Sequence, residues 1–368
     1  MRELFVTRPS LPPLEEYKKE LESVWESGIV TNCGPKHELL EKTLKERTGS
    51  SCVKLFSSGH AALECALSLI KDDDAEGEVI TTPFTFASTV NAIERCGLKP
   101  VFCEIDKKSL TIDPSEIEEK INGHTKAIMP VHVYGNLCDH KKIAKIAKAH
   151  GLYVIYDAAH AFAEKAGAKD VATLGDISAF SFHATKTFGC AEGGAIFINC
   201  KNASKLGEKA SNLRNFGLKD GESIYAGGNG KMSELSAALG LCNLRHIDEY
   251  IAKREAVAAV YGEKLSGSDI KPASFDGNGL TRRNHTYFPV IFKSERALKK
   301  AFKSLEENRI HARRYFYPCI HEMKYYREKY GEISLPVAER VSKRILCLPL
   351  SADMTAEEAS FVCKILLG

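Results

Sequence analysis

The chain has 368 residues, 44% hydrophobic and 27% charged, with 51 basic and 48 acidic side chains and a net charge of +3. That is enough apolar material for a large core and two domains, and too even a charge for a general pull toward nucleic acid or a membrane surface. Twelve cysteines sit singly with no CxxC pair, which excludes zinc-type spacings; no metal site is expected, and buried free thiols in a reducing cytoplasm are.

In chain order, MRELFVTRPSLPP lacks the continuous apolar stretch of a signal peptide, and no apolar run reaches the roughly 18 residues of a membrane span. From residue 53 short β-rich runs alternate with helical patterns. The predicted strands are VKLFSS (53–58), EVITTPFTF (78–86), PVFCEI (100–105), AIMPVHVY (127–134), YVIYDA (153–158), ISAFSFH (177–183) and GAIFIN (194–199). The predicted helices between them are AALECALSLI (61–70), ASTVNAIERC (87–96), PSEIEEKIN (114–122) and DHKKIAKIAKAH (139–150). DDDAEGE (72–78) reads as a solvated loop. This alternation predicts βαβ units and a mainly parallel sheet, and the near-continuous apolarity of the strands predicts cover on both faces. Only ten residues separate ISAFSFH from GAIFIN, too few for the dozen or so of a parallel crossover, so GAIFIN is expected to run antiparallel.

Beyond residue 245 the character changes. A polar helix, LRHIDEYIAKREAVAAVYGEKL (244–265), leads to a strand, TYFPVIF (286–292), a helix, ERALKKAFKSLEENR (295–309), and a last helix opened by the capping box of Thr355 and Glu358. Two domains are expected, 1–245 with the sheet and 246–368 as a smaller α+β unit.

Four features converge on strand ends. Lys186 lies in FSFHATKTFGCAEGGA, the tight connection before GAIFIN. Asp157 closes an apolar strand in YDAAHAF, where it either caps the next turn or faces a ligand. Ser57, Ser58, Gly59 and His60 join a strand to a helix, a place where glycine allows close backbone approach and helix amides accept an anion. Phe86 follows the TTPFTF strand, as a core aromatic or as a flat face for a ligand ring. Open α/β sheets bind ligands at the carboxyl ends of their strands. A lysine that forms a Schiff base, an acid for a pyridine nitrogen, a phosphate site and a stacking ring are together the parts that pyridoxal 5′-phosphate (PLP) requires.

The ordered series SSGHAAL, PFTFAST, PVHVYG, DAAHAF, SFHATKTFGCAEGG, with GGNGKMSELSAALG (227–240) and ILCLPLSADMT (345–355), resembles the DegT/StrS-type sugar aminotransferases over nearly the whole chain. The resemblance implies a fold-type-I PLP enzyme: a seven-stranded, mainly parallel sheet with one antiparallel strand and a smaller α+β C-terminal domain. It implies that Lys186 forms the internal aldimine and shuttles the proton, and that Asp157 pairs with the pyridinium. Ser58, Gly59 and Ser181 would hold the phosphate, with the backbone of His60, which stands where the family usually has Thr. Phe86 would stack on the ring and His160 lie near its oxygen. Asn229, with Lys231, would reach the neighbouring subunit's site, making a homodimer with shared sites. Arg313 and His321, with Arg314, are either substrate ligands or an exposed basic loop. His183 is given a structural role near the cofactor, and Glu192 a brace for Gly193 and Gly194.

The implied reaction moves an amino group from glutamate to a nucleotide-linked keto-sugar. VTRPSLPPLEEY and TNCGP resemble most those members that make dTDP-4-amino-4,6-dideoxyglucose. A sugar dehydratase of this fold has His at the lysine position, which Lys186 argues against. A 3-keto-sugar or cyclitol aminotransferase, or a non-catalytic PLP-fold regulatory protein, stays open at this point.

Overall fold

The structure is a computed structural model that describes residues 2–71, 76–275 and 277–368. Most of DDDAEGE, residues 72–75, lies outside the described residues. Seven strands form the central sheet: β1 (Cys52–Phe56), β2 (Glu78–Thr81), β3 (Lys99–Phe102), β4 (Thr125–Met129), β5 (Tyr153–Asp157), β6 (Ile177–Ser181) and β7 (Gly194–Ile198). Their spatial order is β1-β7-β6-β5-β4-β2-β3. The pairs β6–β5, β5–β4, β4–β2 and β2–β3 are parallel, whereas β7 runs antiparallel to both neighbours, Ile198 opposite Ile177 and Gly194 opposite Ser181. The short connection forces this reversal, and the sheet is the one expected from sequence.

Both faces are covered. Alternate strand residues point to opposite sides. Val53, Leu55, Ile80, Ile128, Val154, Tyr156, Ala195 and Phe197 pack in one core with helices α1 (Leu14–Ser27; through its neighbour only), α2 (Pro35–Thr48), α5 (His140–His150) and α7 (Glu234–Lys264) near them. Phe56, Val79, Met129, Ile155, Ala179 and Ile196 pack in the other core, against α3 (Gly59–Ile70), α4 (Ala87–Arg95) and α6 (Ala203–Leu213). All twelve cysteines are free. Among the described residues no helix is long and apolar enough to cross a membrane.

Two elements differ from expectation. The stretch 114–122 forms two 3-10 turns, Pro114–Glu116 and Glu118–Lys120, rather than a helix. Nine residues with Ile117 as their fully buried anchor do not repay the cost of helix nucleation. The long helix starts ten residues earlier, at Glu234, where the Ser233 hydroxyl accepts from Ser236 N–H. Its first half, through Ile251, belongs to the sheet core. Its second half, Val257, Ala258 and Tyr261, packs under a C-terminal sheet of β8 (Lys271–Pro272), β9 (Phe288–Ile291) and β10 (Ile345–Leu348), with α8 (Glu295–Glu307) and α9 (Ala356–Leu367). The Thr355–Glu358 capping box is formed as expected.

Candidate active site

A pocket of about 300 Å³ opens where β1, β5 and β6 end. Its walls include Ser58, Gly59, His60, Phe86, Asp157, His160, Ser181, His183, Lys186 and Glu192, residues singled out from sequence, together with Tyr287, Arg313, Tyr315 and Phe316. A larger open groove of about 650 Å³ lies beside Asp106 and Lys145, but its lysines and carboxylates are exposed or half-buried.

Local backbone explains why these side chains meet. The connection between β6 and β7 folds back on itself, with Phe182 N–H to Gly193 C=O and Ala184 N–H to Ala191 C=O, both 2.7 Å. This carries Lys186 past the end of β6 and back into the pocket. The glycines are required by space. A Cβ on Gly194 would lie 2.5 Å from the Ser58 carbonyl, and one on Gly59 would lie 2.6 Å from Ser181 Cβ. β1, β7 and the start of α3 can therefore approach only as glycine backbone. Ser58 caps α3, its Oγ accepting from Ala61 N–H at 3.1 Å, and the first turn of the helix opens on the pocket beside Ser181. Such a helix start is an anion site.

Asp157 is buried, and burial pushes its carboxyl up. Thr89 Oγ1 donates to one carboxyl oxygen at 2.7 Å and Ala159 N–H to the other at 3.1 Å, and Lys186 also favours the charged form. Both hydrogen bonds come from neutral donors, and with the charges of Lys186 and His60 they do not offset the burial. Lys186 shows the reverse. Burial draws its amine down to about 8; Asp157 opposes that shift, and Arg313 adds to it. The amine lies over the Tyr287 ring, 5.9 Å from its centre.

His160 is buried, and burial holds its ring neutral. Nδ1 accepts from Tyr134 N–H at 3.1 Å, so the ring proton sits on Nε2. The ring is parallel to Phe316 and edge-on to Tyr287 at 4.9 Å. His60 Nδ1 meets Ser88 Oγ at 2.9 Å, His183 Nδ1 meets Thr185 Oγ1 at 2.8 Å, and His183 Nε2 lies 3.7 Å from Glu192. Phe86 presents a half-exposed ring at the pocket rim.

Four sequence candidates do not line this pocket. His321 is buried beside Phe102, with Nε2 3.3 Å from Glu339. Asn229 is exposed, its backbone bridged to Asn215, and Lys231 binds Asn215 Oδ1 at 2.8 Å and covers the Phe216 ring. Arg314 turns away over the Tyr317 ring toward Glu295. Sequence reasoning missed Thr89, Tyr287, Tyr315 and Phe316. Thr89 lies in the helix ASTVNAIER, 68 residues before the Asp157 it meets only on folding, and the aromatic trio lies more than a hundred residues after Lys186 in the chain; no local signal marks them.

The DegT/DnrJ/EryC1/StrS aminotransferase family model matches residues 14–367. Two relatives named dTDP-4-amino-4,6-dideoxy-D-glucose transaminase, from Shigella dysenteriae and Escherichia coli, are 42% and 40% identical; the first alignment covers 98% of this chain and 97% of the relative, the second 99% and 98%. A solved structure of DesI with its TDP-sugar product is 30% identical with a TM-score of 0.92, covering 100% of this chain and 92% of that one. Helicobacter pylori PseC, an aminotransferase of pseudoaminic acid biosynthesis, is 28% identical with a TM-score of 0.92, covering 100% and 98%. The chain belongs to the DegT/DnrJ/EryC1/StrS aminotransferase family.

Proposed function

We propose that this chain is a PLP-dependent aminotransferase that moves the amino group of glutamate to dTDP-4-keto-6-deoxyglucose, giving the 4-amino-4,6-dideoxy sugar. The observation that carries the reading is the meeting of Lys186 and Asp157 in one pocket: an amine that burial makes less basic, so that part of it is uncharged and able to bond a carbonyl, and a buried acid that a further cation would stabilise. The names of the relatives at 40–42% identity support the choice of sugar.

The pocket fits the cofactor. When bound, PLP supplies a pyridinium ring that takes up electrons from the carbon bearing the transferred nitrogen. Asp157 would hold the ring nitrogen in its protonated form, since a charged carboxyl favours a cation beside it. Ser58, the Gly59 and His60 amides and Ser181 Oγ hold the phosphate at the start of α3. Phe86 offers its face to the ring, and His160 donates Nε2–H toward the ring oxygen. Lys186, with a pKa of about 8, is uncharged in about a tenth of molecules at pH 7. Its amine would bond the cofactor's carbonyl carbon and, once substrate replaced it there, would take the proton from the substrate carbon that bears the nitrogen. Arg313, exposed over the Tyr315 ring, faces the substrate side.

In this reading the chain divides within α7, residues 1–245 holding the cofactor and 246–368 closing the pocket. The functional unit is a homodimer, in which Asn229 and Lys231 complete the partner's site; both lie outside the pocket of their own chain, and the exposure of Asn229 supports this. Borohydride reduction of the yellow protein should fix the cofactor's mass on the peptide containing Lys186, and a label on another lysine would sink the assignment. The reading as a whole is tested by offering glutamate with a panel of nucleotide-linked keto-sugars and identifying products by mass and NMR. Amination of none of them, or of a 3-keto-sugar alone, refutes it.

A further inference from the structure

The turn that carries His160 has a requirement it cannot meet itself. Residues 158–164 leave the end of β5 and enter the interior, where every backbone carbonyl needs a donor. Ala158 C=O accepts from Ala161 N–H and Ala161 C=O from Glu164 N–H. The carbonyls of His160 and Phe162 are met from elsewhere. Asn284, buried in the segment before β9, gives its amide to both, Nδ2 to His160 C=O at 2.8 Å and to Phe162 C=O at 3.0 Å. Its Oδ1 accepts from Thr286 N–H at 2.9 Å, which fixes the amide's orientation. Its own N–H reaches Glu164 Oε1 at 3.3 Å, on a fully buried carboxyl that burial pushes well up.

Asn284 thus ties the turn of His160 to the segment of Tyr287. Both of those residues line the pocket, and their rings meet edge to face at 4.9 Å. Resting on the functional reading above, we infer that Asn284 is a positioning residue: it fixes the His160 ring with Nδ1 on Tyr134 N–H and Nε2–H toward the cofactor, and sets the distance between the His160 and Tyr287 walls. The groups facing His160 are Tyr134, Tyr287 and Lys186, with Asp157 and Glu164 in its own turn and Arg283 acting on Glu164. None of these is an anion in contact with the ring, so its neutrality depends on burial and on the bond from Tyr134.

The test uses Asn284→Ala and the isosteric Asn284→Asp, which keeps the acceptor for Thr286 and loses both donors. In holoenzyme labelled at histidine carbons, the wild-type His160 signal, assigned by its loss in His160→Gln, should stay neutral down to pH 5. In the Asn284 variants it should titrate near the ordinary value of about 6.5. The glutamate half-reaction of the variants should gain a matching acid limb, about tenfold slower at pH 5.5 than at pH 8 relative to wild type. Adding His160→Gln should remove that limb. Folded variants whose His160 titration and rate profile match wild type would overturn the inference. If neither variant folds, wild-type His160 titrating near 6.5 overturns it still. Should wild type fail to react with glutamate, the functional reading is lost while the titration decides the role of Asn284.

Discussion

The pocket and the segment 216–229 stand only a few residues of structure apart, yet they are built differently. Around the pocket, polar groups find partners within the chain: Asp157 on Thr89 and Ala159, His160 on Tyr134, its carbonyl on Asn284. The segment forms its own hairpin, Leu218–Lys219 against Glu222–Ser223, and is tied to the body by Gly217 N–H to Asn212 C=O at 2.8 Å, Gly228 N–H to Leu213 C=O at 2.9 Å and Lys219 to Glu208 at 2.8 Å, with Gly230 C=O just beyond it meeting Ser57 N–H at 2.7 Å. It exposes Phe216 by 50% and Ile224 by 45%. Exposed apolar side chains grouped in this way are a mark of a surface that another molecule covers. The contrast teaches that the side chains at the ends of β5 and β6 are held by partners within the chain, while the end of β1, where the phosphate is proposed to sit, is braced by a segment offered outward.

The comparison breaks first at the lysine. Lys186→Ala should cost more than about 10³-fold in turnover while the melting curve hardly changes, because in the proposed function it removes both the attachment and the proton carrier. A variant retaining a tenth of activity would move the chemistry elsewhere. Asp157→Asn should slow proton abstraction about 10²-fold or more with the fold intact, since a neutral amide cannot hold the ring cation; stopped-flow half-reaction rates check this.

The outward segment is tested by mixing. Lys186→Ala and Asn229→Ala chains, unfolded and refolded together at equal ratio, should form hybrids in half of the dimers. If Asn229 serves the partner, each hybrid has one intact site, so activity should recover to about a quarter of wild type. If it serves its own chain, every hybrid site carries one lesion and nothing recovers. The single Asn229→Ala homodimer must first be shown to be impaired.

A smaller effect comes from acid. Burial lowers His37 to about 4, His132 to about 3, and His160 well below its ordinary value. Unfolded histidines bind protons below about pH 6.5 while these do not, so the stability they allow is present above that pH and lost as pH falls. Glu164 works in the opposite direction, since its raised pKa loses stability as pH rises above about 4.3. His140 and His285 act with the three histidines, and Asp157, Asp170 and Asp176 with Glu164; five histidines against four carboxyls predict a lower melting temperature at pH 5 than at pH 7, and Glu164→Gln should steepen the fall. A melting temperature that holds steady would contradict this balance.

The sequence by itself determined the seven strands, the reversal of β7, the two-sided cover of the sheet, and the placing of Lys186, Asp157, Ser58, Gly59 and Ser181 at strand ends. These follow from local causes: apolar runs of strand length, a connection too short for a crossover, glycines where backbones touch. The Thr355–Glu358 cap is equally local. Tertiary structure decided the rest. Tyr287 and Phe316 reach the pocket because the C-terminal part packs beyond the ends of β2, β3 and β4 in one apolar cluster, while Thr89, from α4, and Asn284 bond Asp157 and the His160 carbonyl from behind its walls. His321, a sequence candidate for the substrate, is buried in pairing with Glu339 by the same packing. The start of α7 at Glu234 and the turns at 114–120 were settled by which apolar side chains found a core to enter. A pattern along the chain records which face of an element is apolar. It does not record what that face meets, because contact across a hundred residues depends on the closed fold as a whole.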